Sequence, residues 1–421
     1  MLPVFHLGFQ EIYYTMISIT IFSSFFGLFI AFASAGTIPN SQAEDTENIQ
    51  KLAIANNELA FNLHRKLVSN SSKNVFFSPL SISTAFGMLF RGARGDTAEE
   101  LRNVLGYDKA DLPSDLVQDT FNRFLSGALD TTDSSAGYVL KAANAIFIDK
   151  FFELLEDYRD DVAKFYKAAV RNVNFSTDAT EIVEEINSWV REKTNGKIDK
   201  LFDDLSPSTL MVLLNAVYFK GTWHVQFNPE ETTEEIFLNN GLESEAKKVP
   251  LMHLTSYFLS DSTDDYHALE LPYKGGNVSM LILLPNEPDG LHALEDSLTP
   301  EKLADIQEKL ERTKIDVSLP KFKLDFEEEL SDEMHALGAN QIFKGDADFS
   351  GMTKCDGAFV SEIRHKAIIE VNEEGSEAAA VTGVIIDRMK SPHFRADHPF
   401  FFAIVEKSSN MILFMGHVNN L

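Results

Sequence analysis

The chain has 421 residues, 44% of them hydrophobic and 24% charged, enough for one large globular domain or two of medium size. With 37 basic against 64 acidic residues its formal charge is −27, a surface that repels nucleic acid and anionic membranes and removes both from the expected partners. Its single cysteine, Cys355, excludes an intrachain disulfide, so stability must come from a large core.

Met16 to Ala33 (MISITIFSSFFGLFIAFA) is apolar and long enough to raise the question of a membrane span. Ala33-Ser34-Ala35-Gly36 follows, with the small-x-small form of a signal-peptidase site, so residues 1–35 are read as a secretory signal and 36–421 as the mature chain. Residues 1–15 carry no Lys or Arg, whereas such a signal ordinarily begins with a basic stretch; a true start at Met16 accounts for this. A signal anchor is the competing reading. Three glycosylation sequons, at Asn70, Asn174 and Asn277, agree with secretion.

In the mature chain, Ile49, Leu52, Leu59, Leu63 and Leu67 recur at helical spacing and predict an amphipathic first helix. Ile182, Ile186, Trp189 and Val190 predict another. Apolar runs at Met211–Phe219 and Ser279–Leu284 predict strands, and Phe400–Val405 with Met411–Val418 a hairpin around Lys407-Ser408-Ser409-Asn410. Helices dominate the first half and strands the second, which indicates an α+β fold rather than alternating βαβ units. No internal repeat or low-complexity linker divides the chain, so a single domain is expected. A Gly-x-Ser-x-Gly elbow, a His-Glu-x-x-His helix and a Gly-x-x-x-x-Gly-Lys loop are all absent, and neither catalysis nor a cofactor is expected. The eleven histidines are scattered and only one thiol exists, so no metal site is expected either.

Residues Glu373 to Phe400 (EEGSEAAAVTGVIIDRMKSPHFRADHPF) carry the most functional information. An alanine-rich run reads first as helix or as a flexible linker. Read with period two, Ser376, Ala378, Ala380, Thr382, Val384 and Ile386 share one face, and none is charged or proline. Glu377 and Asp387 fall on the other face. Such a segment can join a sheet as a new strand without burying a charge or losing a ladder bond to proline. Gly375 supplies a backbone hinge at its start.

The flanks EEGSEAAA and FRADHPF resemble the hinge and distal anchor of the serpin reactive-centre loop. NVFFSPLSIS (Asn74–Ser83), LNAVYFKGTW (Leu214–Trp223), SLPKF (Ser318–Phe322), HKAIIEVNEEGSEA (His365–Ala378) and ILFMGHVNN (Ile412–Asn420) follow the same family in order, with His417 where an arginine is more usual. The resemblance covers nearly the whole mature chain. It implies a single α+β domain with a large central sheet, two smaller sheets, about nine helices and an exposed loop over about residues 373–398.

It further implies an inhibitor rather than an enzyme. The loop is cleaved as a protease substrate, its hinge inserts into the main sheet, and the covalently attached protease is carried across and trapped. By motif, Ser78, Ser81, Asn215 and His365 would form a polar cluster beneath the sheet where strands part. Trp223, Lys321 and Glu373 would stand where the hinge first enters, and Glu373, Gly375, Ser376, Ala378, Ala380 and Thr382 would form the hinge. Fourteen residues on from Gly375, the family's usual spacing, places the scissile bond at Met389–Lys390, which suits elastase-like or chymotrypsin-like proteases. A shift of one residue makes Arg388 the bait, for trypsin-like proteases, and Lys390 is a third alternative. Between Asp96 and Ser126 three basic residues (Arg102, Lys109, Arg123) face seven acidic ones, which argues against a heparin site there. The family is usually monomeric and needs no cofactor. The rival readings are a binding or chaperone-type serpin and an inhibitor of cysteine proteases.

Overall fold

A computed structural model describes residues 40–69, 72–127, 137–374 and 392–421. The chain divides into residues 1–47, of which only the start of the first helix is described, and residues 48–421, which hold the sheets. Among the described residues there are nine α-helices: α1 (Asn40–Val68), α2 (Pro79–Gly92), α3 (Gly95–Val104), α4 (Val117–Gly127), α5 (Glu156–Tyr166), α6 (Phe175–Lys193), α7 (Leu291–Ser297), α8 (Pro300–Lys309) and α9 (Ser331–Leu337). The strands are β1 (Val75–Phe77), β2 (Tyr138–Asp149), β3 (Ala169–Val173), β4 (Met211–Gly221), β5 (Thr233–Leu238), β6 (Ala246–Ser262), β7 (Tyr266–Pro272), β8 (Val278–Pro285), β9 (Glu311–Pro320), β10 (Phe322–Glu329), β11 (Glu362–Val371), β12 (His393–Arg395), β13 (Phe400–Glu406) and β14 (Met411–Val418). The first helix, the helix around Trp189, the two apolar strands and the C-terminal hairpin all form where the sequence places them. No described helix is long and apolar enough to cross a membrane.

The strands form two sheets. One has five strands in the order β10-β11-β4-β2-β3; the other has nine, in the order β1-β14-β13-β8-β7-β6-β9-β12 with β5 added to β6. The nine-stranded sheet is continuous because β6 runs for 17 residues and changes partners: β9 pairs with Leu251–Ser260 and β7 with Leu259–Ser262. What the resemblance divides into two smaller sheets is therefore joined through one long strand.

The five-stranded sheet is covered on both sides, and its alternation shows how. On β4, Leu213, Val217 and Phe219 point into the main core, which also contains Phe86 and Leu89 of α2. Val212, Leu214, Ala216 and Tyr218 point to the other face, where Ile182, Ile186, Trp189 and Val190 of α6 pack over them. A central strand buried on both faces reads as an unbroken apolar run, as Met211–Phe219 does.

Candidate functional site

The seam between β4 and β11 is the centre of the site. These strands are neighbours and run parallel, in register from Val212 opposite Glu362 to Lys220 opposite Glu370. The chain leaves β11 at Val371, and residues 375–391 lie outside the described residues. The hinge positions Gly375, Ser376, Ala378, Ala380 and Thr382 and the bait candidates Arg388, Met389 and Lys390 fall there. The chain is described again from Pro392 and enters β12, which pairs with β9 of the other sheet (Phe394 opposite Val317). The stretch expected as an exposed loop is thus tied to both sheets at its ends. Glu373 is buried at one end, and Phe394, Ala396 and His398 at the other.

Midway along the seam lies a buried polar cluster. His365 and Asn215 stand opposite each other on β11 and β4, and Asn144 of β2 is in turn opposite Asn215. Three polar side chains therefore share one level across three adjacent strands. Beneath them α2 begins with Ser78 as its N-cap and Pro79 at its first position, the local signal that starts the helix here. The Ser78 amide donates to His365 Nε2 at 3.4 Å, while the Ser78 hydroxyl donates to the carbonyl of Leu413 at 2.7 Å and accepts from the Ser81 amide at 3.2 Å. The Asn215 amide group donates to Ser81 Oγ and to Asn144 Oδ1, and the Ser81 hydroxyl donates to Asn144 Oδ1 at 3.2 Å. Because Nε2 of His365 accepts, its Nδ1 must carry the proton, and it donates to Asn215 Oδ1. Burial pushes the His365 imidazole down to about 3, which keeps it in that neutral form.

At the end of the seam a second group holds the departing chain. Trp223 Nε1 donates to the carbonyl of Asn372 at 2.9 Å. Lys321 Nζ donates to Glu373 Oε2 at 2.8 Å and the Thr232 hydroxyl to Oε1 at 2.9 Å. Burial works to raise the Glu373 carboxyl, but these bonds outweigh it and hold it below the usual carboxylate range. Lys220, at the end of β4, pairs with Glu374 at 2.7 Å. Trp223 itself is fixed by stacking on Tyr273, with ring centroids 4.6 Å apart and planes 11° apart. Gly221 makes room for that stack: a Cβ there would stand 2.1 Å from Tyr273 Cε1.

The structure brings together Ser78, Ser81, Asn215 and His365 in one network and Trp223, Lys321 and Glu373 in another. Sequence reasoning did not single out Asn144, Thr232, Lys220 or Tyr273. Asn144 carried a weak signal, a lone amide within the apolar strand KAANAIFID. Of the three sequon asparagines, Asn277 is exposed in the turn between β7 and β8, Asn174 is half-buried before α6, and Asn70 lies outside the described residues. Cys355 is half-buried, its thiol 3.6 Å from the carbonyl of Phe151.

Comparison with known proteins agrees with this architecture. The chain is 38% identical over 391 residues to human Serpin B4, covering 88% of this chain and all of that protein. It is 38% identical over 403 residues to Iripin-8 of Ixodes ricinus, covering 92% of this chain and 98% of the relative. The crystal structure of uncleaved ovalbumin superposes with a TM-score of 0.82 at 31% identity, covering 88% of this chain and 100% of that one. Residues 54–421 match the family described as serpin (serine protease inhibitor), a description of inhibitors of proteases rather than of catalysts. The chain belongs to the serpin family.

Proposed function

We propose that this chain is a secreted inhibitor that acts once, as a suicide substrate for a serine protease, and that strand insertion at the β4–β11 seam supplies the driving force. The parallel pairing of β4 and β11 carries this reading. A chain that leaves β11 at its C-terminal end and turns back between the two strands runs antiparallel to both. Insertion replaces one parallel ladder by two antiparallel ones, and antiparallel pairing is slightly the more stable per residue. The residues from Ser376 to Thr382 on the inward face are small and uncharged, which suits a narrow slot between buried faces.

The protease serine hydroxyl attacks the carbonyl of Met389. The bond to Lys390 breaks, the Lys390 nitrogen leaves as an amine with the transferred proton, and an ester joins protease to inhibitor. Insertion of the freed hinge then drags the acyl enzyme away before water reaches the ester. Met389 suits elastase-like or chymotrypsin-like proteases, and cleavage one residue earlier, at Arg388, would suit trypsin-like ones. The signal-like residues 1–35 and exposed Asn277 support secretion. Arg102 is engaged by Asp108, Ser114 and a backbone carbonyl, and Lys109 by Glu58, which leaves that region poorly suited to a polyanion. No cofactor is required, and a monomer suffices.

The test is incubation of the mature protein with trypsin and, separately, pancreatic elastase, followed by denaturing electrophoresis and mass spectrometry of the cut. A complex that survives denaturation is expected, and its cleavage site decides between Met389 and Arg388. Clean cleavage by both enzymes without complex would overturn inhibition of these classes and favour a binding serpin.

A further inference from the structure

The histidines that look scattered in the sequence are not all apart in the fold. His64 of α1 and His417 of β14 meet at one carboxylate, that of Glu295 of α7. His64 Nε2 lies 2.9 Å and His417 Nδ1 2.7 Å from the same oxygen, Glu295 Oε1. All three residues are buried, at 2%, 3% and 5% exposure. Their ligand atoms lie within 4.8 Å of one another. We infer that His64, Glu295 and His417 form a site for a divalent transition metal of the zinc type, unrelated to the loop and its seam.

Four features carry this. Two imidazoles and one carboxylate are a ligand set that zinc uses with a fourth position left to water. The tautomer of His417 suits ligation: its Nε2 is 2.9 Å from the carbonyl of Lys73, an acceptor only, so Nε2 holds a hydrogen and the Nδ1 lone pair faces Glu295. That lone pair cannot face a carboxylate oxygen at 2.7 Å bare; at that distance a proton bridges them, and a metal ion would take the proton's place. A cleft of about 330 Å³ is lined by Glu295 and His417 together with Asp289, His292 and Asn419, so it brings solvent to two of the three ligands.

Four-coordinate zinc with bonds of about 2.0–2.1 Å sets its ligand atoms about 3.3 Å apart, so the contacts now at 2.9 and 2.7 Å must each open by about half an ångström. His64 has no hydrogen-bond partner at its Nδ1, so packing positions its ring, which stacks on Phe77 and meets Phe401 edge-on. The site would clamp together three elements far apart in sequence, with no disulfide to do so.

The purified, chelator-stripped chain is titrated with Co²⁺, whose visible absorption reports four-coordinate nitrogen and oxygen ligation, and its thermal midpoint is measured with and without Zn²⁺. One equivalent of Co²⁺ is expected to give the spectrum, and Zn²⁺ to raise the midpoint by several degrees, reversibly with chelator. His417→Arg keeps a cation beside Glu295 but removes a ligand, and His64→Gln removes the other; each is expected to abolish both signals. Should one variant fail to fold, the other decides. The absence of both signals in the unaltered chain means that the cluster is an ion pair only, and the site is overturned. Signals that persist in His417→Arg or His64→Gln place the metal elsewhere and overturn it equally.

Discussion

Lys321 and Glu373 are joined at 2.8 Å where the chain leaves β11, and the two partners are buried very unequally: 46% of the Lys321 side chain is exposed against 9% for Glu373. That asymmetry fixes the consequences of breaking the pair. Removing Glu373 leaves an ammonium that water can solvate. Removing Lys321 leaves a buried carboxylate with the Thr232 hydroxyl as its remaining side-chain donor.

Lys321→Ala is therefore expected to be more destabilising than Glu373→Gln, by about 1 kcal/mol. Both changes release the same tether on Glu373, so both are expected to speed spontaneous insertion of the loop. Urea unfolding midpoints give the first ordering, and the rate of polymer formation on native gels during mild heating gives the second. Equal midpoints would show that the burial asymmetry is inconsequential.

The His365 network has a pH signature whose sign can be worked out. The imidazole is pushed from its ordinary 6.5 down to about 3, while the unfolded chain keeps the ordinary value. Between those limits the unfolded state binds a proton that the folded state refuses, so stability falls as pH falls through that window. One proton amounts to at most about 1.4 kcal/mol per pH unit. Its cross-strand neighbours are Asn215 and Glu328, and Phe326 packs near the ring. Carboxylates held low, such as Glu373, also lose stability on acidification, so the comparison must be with His365→Gln. Unfolding midpoints measured across the window are expected to fall more steeply in the unaltered chain. Parallel slopes would mean that His365 is not the group responsible.

The parts of this fold that can be read from sequence are those set by local pattern. Met211–Phe219 announces a strand buried on both faces, and Ser78-Pro79 announces a helix start, because burial and capping leave marks on adjacent residues. The resemblance to serpins supplied the grouping of Ser78, Ser81, Asn215 and His365, which no spacing rule would have found. Asn144 escaped because strand register, which sets it opposite Asn215, is a property of two distant segments. His64 and His417 escaped for the same reason: 353 positions apart, they meet only through α1 packing against the C-terminal hairpin. The joining of the smaller sheets likewise depends on where β6 changes partners, and composition does not show that.

A charge placed on the inward face of the hinge tests insertion directly. Ser376→Arg would carry a guanidinium into the slot between β4 and β11, where burying an unpaired charge costs several kcal/mol. The variant is expected to be cleaved at the same bond and at a similar rate but to release the protease, so the yield of denaturation-resistant complex falls by at least about tenfold. Glu377→Arg, on the outward face, is expected to leave the yield near that of the unaltered chain. Full complex formation by Ser376→Arg would refute insertion with this register.

Two buried glycines differ in what would meet an added methyl, and so in what substitution should cost. At Gly416 on β14 a Cβ would lie 2.0 Å from the carbonyl oxygen of Val75 on the paired strand β1, and 2.9 Å from Phe76 Cα. Both obstacles are backbone. Relief requires moving β1 away from β14, which breaks their ladder and disturbs Phe76, stacked on Phe402 and Phe414. At Gly221 the obstacle is the Tyr273 side chain, 2.1 Å away, which can swing if it gives up its stack on Trp223. Gly416→Ala is expected to cost on the order of 4 kcal/mol, near the upper end for single substitutions, and Gly221→Ala about 1–3 kcal/mol. Only Gly221→Ala should alter tryptophan fluorescence in the folded state, since Trp223 loses its stacked partner, keeping only the edge-on Phe227, while Trp189, packed against Phe147, is untouched. A larger loss of stability from Gly221→Ala than from Gly416→Ala would show that the aromatic stack is the more rigid of the two neighbours.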